Sequence, residues 1–167
     1  MMIRAMWPAL ASLGAGLVLF ATAAGASPGV AVPVGIIGAL ELAWSFAVLR
    51  AGRLVLPRSA VAGGAIGIVG SGFLLLTGPL ALIPFLALFV FHWSIAIAAV
   101  IELRGQRARR GAAAGEPAPE SRQRRAGVFA LVLVVEAMLV AAIATPALAA
   151  SEAGEFAVPH GTSHAGH

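Results

Sequence analysis

Several residue types are absent from this chain, and each absence removes a class of chemistry. Without cysteine there is no disulfide, no thiolate metal site and no cysteine nucleophile. Lysine, aspartate, asparagine and tyrosine are missing as well, and only 11% of the 167 residues are charged. Every basic position is therefore an arginine, which together with the abundant alanine and glycine is typical of a GC-rich bacterial genome.

The chain is rich in apolar residues, and these are grouped in long runs. Hydrophobic residues make up 60% of the chain, more than one soluble core of this length can bury, whereas a lipid bilayer accepts them. Five apolar runs each have about the 17–25 residues that a helix needs to cross a bilayer. They cover residues 7–26, 31–49, 60–77, 80–103 and 127–149. We therefore predict an all-α integral membrane protein, a bundle of five transmembrane helices whose first partner is the lipid bilayer.

The arginines indicate how the bundle is oriented. A pI near 11.6 is also found in nucleic-acid-binding proteins, but these arginines lie between the apolar runs rather than along one face, so we expect no nucleic-acid partner. If the N-terminus is cytoplasmic, all 11 arginines fall on cytoplasmic segments, as the positive-inside rule requires. Those segments are the N-terminus, residues 50–58 and a polar linker, 104–126, whose Ala, Gly and Pro content indicates flexibility. We therefore predict a cytoplasmic N-terminus and an extracytoplasmic tail, residues 151–167. The expected location is the bacterial inner (plasma) membrane.

Three places leave alternatives for the number of spans. The turn at residues 77–79 is very short, so spans three and four could instead be a re-entrant pair or one long kinked helix. The first run ends in small residues at 23–27, and the fifth run ends in Ala147-Leu148-Ala149. Both resemble signal peptides, although each run is longer than the apolar core of about 7–15 residues that such peptides have.

A short internal repeat is visible in the second and fourth runs. Trp44-Ser45-Phe46-Ala47 matches Trp93-Ser94-Ile95-Ala96, and both runs end in Leu-Arg. Duplication of a two-helix unit and coincidence both explain a match of this length.

Glycines in the third run predict close helix packing. Gly63, Gly67 and Gly70 follow the spacing i, i+4, i+7, which places them on one face of a helix. Small residues let helices approach closely in lipid. We expect this face to pack inside the bundle, with a homodimer interface as the alternative.

Three ionisable residues are predicted near the middle of their spans, namely Glu41, His92 and Glu136. Their distances from the span ends place them at similar depth in the bilayer, at 1.5 Å of rise per residue. Such residues usually face inward and find partners. We predict that spans two, four and five meet around these three side chains, which can then form an ion site or a proton relay. The structural alternatives are hydrogen bonds that only set the bundle geometry, or contact with a partner subunit.

The tail carries the remaining histidines, His160, His164 and His167. This spacing can bring the imidazoles together around a divalent transition metal, with Cu, Ni, Zn and Co as the candidates, and Glu152 and Glu155 are close in sequence. The alternative is a solubilising end without a ligand. No phosphate-binding loop, metalloprotease motif or serine nucleophile elbow occurs, so we expect no enzyme.

The stretch from Arg124-Arg125 through Glu136 to Thr145-Pro146 resembles the last helix of bacterial copper-resistance membrane proteins of the CopD type. The resemblance covers about one helix, and the basic pair and the glutamate are spaced differently. It implies copper as the first metal to consider.

The leading hypothesis is a small membrane protein that handles a divalent transition metal or protons, with the external tail collecting metal. The competing hypothesis is a non-catalytic accessory or scaffold subunit, either as a homo-oligomer or with another membrane protein.

Overall fold

A computed structural model describes residues 3–111 and 122–151 of the chain, and the side chains of residues 6–108 and 130–151. This part is all-helical and contains five helices that are long and apolar enough to cross a membrane, which confirms the predicted helical class. The helices are α1 (Ile3–Gly25), α2 (Pro28–Ala51), α3 (Pro57–Thr77), α4 (Leu82–Gly111) and α5 (Arg122–Ala149).

Glycine and proline set the ends of the first helices. Pro28 is the first residue of α2, where an amide N–H would have no acceptor within the helix. Proline, which lacks this N–H, is therefore tolerated there. Gly52 ends α2 in the left-handed conformation, and its N–H donates to the carbonyl oxygens of Val48 and Leu49. Gly78, with φ 96°, ends α3 in the same way. Helices α3 and α4 are separate and pack against each other, so the chain reverses direction between them. This excludes one long kinked helix.

Helix α1 lies at the centre of the bundle. More than half of its apolar span (56%) is buried, against 17% for α3 and α5, and it packs against α2, α4 and α5. Small residues make this possible: a Cβ atom on Gly16 would lie 3.0 Å from the carbonyl oxygen of Gly38 in α2.

This arrangement corrects the prediction that spans two, four and five meet. Within the described residues, the α2 backbone stays away from the backbones of α4 and α5, because α1 lies beside all three helices. Apart from Arg4 in its first turn, α1 contains no ionisable residue that could have marked it as central.

The helices form two antiparallel pairs, α1 with α2 and α3 with α4. This is the pairing that a duplicated two-helix unit predicts, but the matched serines make different contacts. The Ser45 hydroxyl donates to the carbonyl oxygen of Ala9 on α1, at 2.7 Å, whereas the Ser94 hydroxyl donates to Phe91 on its own helix, at 2.8 Å.

Helices extend into the predicted linker 104–126 from both sides. Helix α4 continues to Gly111, and α5 begins at Arg122. Arginine is a good helix former, and the Gln106 side-chain amide donates to Glu102 one turn earlier, at 3.3 Å. Residues 112–121 lie outside the described residues.

Candidate functional site

Two of the three ionisable residues predicted inside the membrane lie side by side. His92 Nε2 is 3.3 Å from Glu41 Oε1. The His92 side chain is 2% exposed and the Glu41 side chain 17%. At 1.5 Å of rise per residue, His92 lies about 15 Å along α4 from Leu82, half the thickness of a hydrocarbon core of about 30 Å. The side chains bridge the space between the α2 and α4 backbones, within the two apolar spans.

The backbone of α4 fixes the proton position on His92. His92 Nδ1 lies 2.8 Å from the carbonyl oxygen of Leu88, one turn earlier. A carbonyl oxygen only accepts, so Nδ1 carries a hydrogen and donates it. In the neutral ring, Nε2 then has a lone pair facing Glu41. The contact with Oε1 lacks hydrogen-bond geometry, and Nε2 has no hydrogen-bond partner within the described chain.

Ser12 on α1 holds the other carboxyl oxygen of Glu41. Its hydroxyl oxygen contacts Oε2 and also lies 2.8 Å from the backbone carbonyl oxygen of Glu41. A hydroxyl has one hydrogen to donate. When Glu41 is ionised, Ser12 can donate to Oε2. When Oε2 is protonated, the carboxyl donates to Ser12 and Ser12 donates to the carbonyl. Ser12 can therefore satisfy Glu41 in both protonation states.

The imidazole of His92 is pressed against a glycine of α3. A Cβ atom on Gly67 would overlap the Cδ2 and Nε2 atoms of the ring, and a Cβ atom on Gly64 would lie 2.9 Å from the His92 carbonyl oxygen. These two glycines let α3 approach α4. In contrast, a Cβ atom on Gly63 or Gly70 would meet nothing within 4 Å. Of the predicted packing face, Gly67 contacts α4, and the other two glycines face open space.

That open space is a cleft of about 770 Å³ between α2 and α3, and Glu41 and His92 are among its lining residues. The two helix backbones do not pack against each other in the described residues, so the gap is partly open at the side. The rest of the lining is predominantly apolar. It includes Val34, Ile37, Leu40, Phe73 and Leu74.

Glu136 is not joined to this pair. Helix α5 packs on α1 and α4 but not on α2, and Glu136 Oε2 is buried without a hydrogen-bond partner among the described residues. The described ranges contain no group of three or more His, Cys, Asp or Glu residues that could hold a metal ion. His160, His164 and His167 lie outside the described residues.

Ser12 and the cleft were not predicted from the sequence. A serine among the small residues of the first run was a usable signal, because interhelical hydroxyl groups are common partners of polar side chains in membranes. The cleft had no signal, since it depends on two helices that fail to pack.

Comparison of the chain with protein-family models, with curated proteins and with solved structures finds no match. The chemistry of the Glu41–His92 pair and of its surroundings is therefore the guide to function.

Proposed function

We propose that this protein is a small multi-pass transport protein of the bacterial inner membrane that moves protons or transition-metal cations, with Glu41 and His92 as its intramembrane binding site. The observation that carries the proposal is the 3.3 Å approach of Nε2 and Oε1 between two of the apolar spans. In the proposed orientation the N-terminus is cytoplasmic and the tail is outside, as the arginine distribution favours.

The pair is suited to holding one positive charge. With Glu41 ionised and His92 neutral, both facing atoms are acceptors, and within the described chain no side chain or amide donates a hydrogen bond to Nε2. Ionised carboxylates near the bilayer centre are disfavoured by roughly 2.5 kcal/mol or more on insertion scales. One proton removes this penalty, either as a protonated carboxyl or as an imidazolium paired with the carboxylate. A metal cation could replace it, because imidazole and carboxylate are both metal ligands.

Access to the pair comes from the cleft. Glu41 retains a partly exposed side chain and lines the cleft together with His92. On the opposite side, the Ser12 hydroxyl contacts the same two Glu41 oxygens in both protonation states, and only the direction of its hydrogen changes. The Glu41 carboxyl group is thus accessible from the cleft, and Ser12 can form a hydrogen bond with it in both charge states. These are the properties expected of a transport site.

The tail extends this proposal to metal supply. His160, His164 and His167 follow the end of α5, which in the proposed orientation is extracytoplasmic. A metal held there would be concentrated on the outer side of the bundle. Imidazoles suit Cu, Ni, Zn and Co.

The alternative function is that of an accessory subunit of a larger membrane complex. Glu136 Oε2 is buried and has no hydrogen-bond partner among the residues that the structure describes, which favours this alternative because a partner subunit beside α5 could donate to it. Under this alternative the Glu41–His92 contact only sets the geometry of the bundle.

Measuring both proton flux and thermal stability in the same variants distinguishes the two functions. The protein would be reconstituted in lipid vesicles containing a pH-sensitive dye, and a pH gradient imposed. We expect Glu41→Gln and His92→Gln to lower the flux at least tenfold while thermal unfolding changes little. Glu102→Gln, at the cytoplasmic side of α4 in the proposed orientation, is the matched control and should keep full flux. Full flux in both site variants, with lowered stability, would support the accessory role and overturn the transport proposal.

A further inference from the structure

We infer that the cleft between α2 and α3 binds a lipophilic organic cation, which exchanges with the proton held by Glu41 and His92. The inference rests on the proposed proton site and names the class of molecule that competes there. It uses three independent features of the cleft: its size, the charge at its floor and an aromatic ring in its wall.

The size and walls of the cleft suit a molecule that dissolves in lipid. A volume of about 770 Å³ is within the range of about 300–1,000 Å³ found for sites of drug-sized ligands. Along α3 the lining runs from Ser59 to Leu74, a length of about 22 Å at 1.5 Å of rise per residue. Predominantly apolar walls pack well against the apolar body of an organic molecule.

The charge at the floor selects a cation. Glu41 is the acidic residue among those lining the cleft, and the lining contains no arginine. Beside it, the His92 side chain is 2% exposed, and its Nε2 has no hydrogen-bond partner in the described chain. Both atoms are acceptors when the site holds no proton. An ammonium or phosphonium group would find a compensating carboxylate, whereas an anion would meet a like charge.

An aromatic ring lies one turn from the carboxylate. Trp44 follows Glu41 at i+3 on α2 and also lines the cleft. Its indole N–H donates to the carbonyl oxygen of Val55 at 3.0 Å, which restrains the ring. Indole faces attract cations within about 6 Å of the ring centre. The cleft thus offers a carboxylate and an indole on the same helix.

Exchange follows from the single negative charge of the site. When the organic cation binds beside ionised Glu41, the proton on the pair leaves, so one positive charge replaces another. Ser12 on α1 is not titratable, and the titratable residue of α3, Arg58, lies in its first turn. Glu136 on α5 makes no ion pair or hydrogen bond with Glu41 or His92 among the described residues. Glu41 and His92 are therefore the groups whose proton the organic cation would displace.

Tetraphenylphosphonium binding to the full-length protein in mild detergent tests the inference. Equilibrium dialysis would measure affinity, and a dye in weak buffer would measure proton release. We expect saturable binding, release of up to one proton per cation bound, and an affinity that rises with pH by at most about tenfold per unit, the limit for exchange with one proton. Tetraphenylborate, an anion of similar shape, should not bind. Equal binding of both ions, or binding without proton release at any pH, would overturn the inference.

Variants locate the binding in the cleft. Glu41→Gln should lower the tetraphenylphosphonium affinity at least tenfold and abolish proton release, while Glu102→Gln should bind as the unchanged protein does. If Glu41→Gln fails to fold, Trp44→Leu should lower the affinity severalfold while Trp44→Phe, which keeps an aromatic ring, lowers it less. Unchanged affinity in Glu41→Gln, or in Trp44→Leu where that variant replaces it, would exclude the cleft as the binding site.

Two outcomes separate this inference from the proposed function. Proton flux that depends on Glu41 without any tetraphenylphosphonium binding would leave the transport proposal standing and refute the cation site. This is also the result expected if a lipid chain or a helix of a second copy fills the cleft. Binding with proton release but no flux in vesicles would support the cation site and refute transport.

Discussion

His92 has two ring nitrogens with different surroundings, and this difference gives the site its chemistry. Nδ1 is tied to the Leu88 carbonyl oxygen of its own helix, so Nε2 is left to face Glu41 at 3.3 Å. Ser12 then holds the far side of the carboxyl group. Three residues on three helices thus determine where a proton can reside.

A methyl group added at Gly67 should disturb this arrangement directly. The new Cβ of Gly67→Ala would overlap the His92 ring, which is buried and cannot swing away freely. Overpacking of this kind typically destabilises by about 1–3 kcal/mol. We expect lower thermal stability in detergent and reduced proton flux.

Gly63→Ala and Gly70→Ala are the matched controls for that change. Their Cβ atoms would meet nothing within 4 Å, and alanine is the better helix former. Both should be as stable as the unchanged protein or slightly more stable. A Gly67→Ala variant indistinguishable from these two would mean that the His92 ring is not held against α3.

Glu136 can be tested by making it apolar. A buried carboxyl oxygen without a partner is destabilising by roughly 1–3 kcal/mol, so Glu136→Leu should raise thermal stability and leave proton flux unchanged. Glu41→Leu, by comparison, should abolish flux. Loss of flux in Glu136→Leu would return Glu136 to the transport site, as the sequence pattern predicts.

At the scale of the helices, sequence and structure agree on the number and approximate position of the apolar spans. The 3.3 Å contact also places Glu41 and His92 at the same level along their helices, as counting residues predicts. The direction in which each residue faces is a different matter, since it depends on which helices pack together. Glu136 is predicted at a comparable depth, but it lies on a helix that does not pack on α2 within the described residues. The spans were therefore predictable from the sequence, whereas the choice of packing partners was not.

The ends of α4 and α5 show a second limit of sequence patterns. Charge and small residues indicated a flexible linker over 104–126, but arginine-rich segments can continue a helix beyond the membrane. Hydropathy indicates where a span leaves the apolar part of the bilayer. The end of the helix is set instead by capping residues and backbone preferences.

The tail, as a segment, carries its own prediction. Full-length protein should bind Cu(II), Ni(II) or Zn(II) at neutral pH, and a variant with His160, His164 and His167 all changed to alanine should lose that binding. Because an unperturbed imidazole protonates near pH ~6.5, affinity should fall as the pH is lowered through this range. Titration calorimetry checks both points. Equal metal binding by the two proteins would reduce the tail to a solubilising end.

For the molecule as a whole, the arginines predict the orientation in the membrane. All 11 fall on one side when five spans are threaded from a cytoplasmic N-terminus. A reporter that is active only outside the cytoplasm should work when fused after His167 and fail within residues 105–125. The reverse pattern at either fusion site would refute the proposed topology.

The central proposal is that Glu41 and His92 act as one proton-binding site, and a double-mutant cycle in proton flux tests this most directly. Vesicle flux would be measured for Glu41→Gln, His92→Gln and the combined variant, with Glu102→Gln as control. Members of one site are not independent, so the second substitution should add little once the first is present. We expect the double variant to be as inactive as either single variant, with the control at full flux. Effects of the two single changes that multiply in the double variant would contradict a shared site.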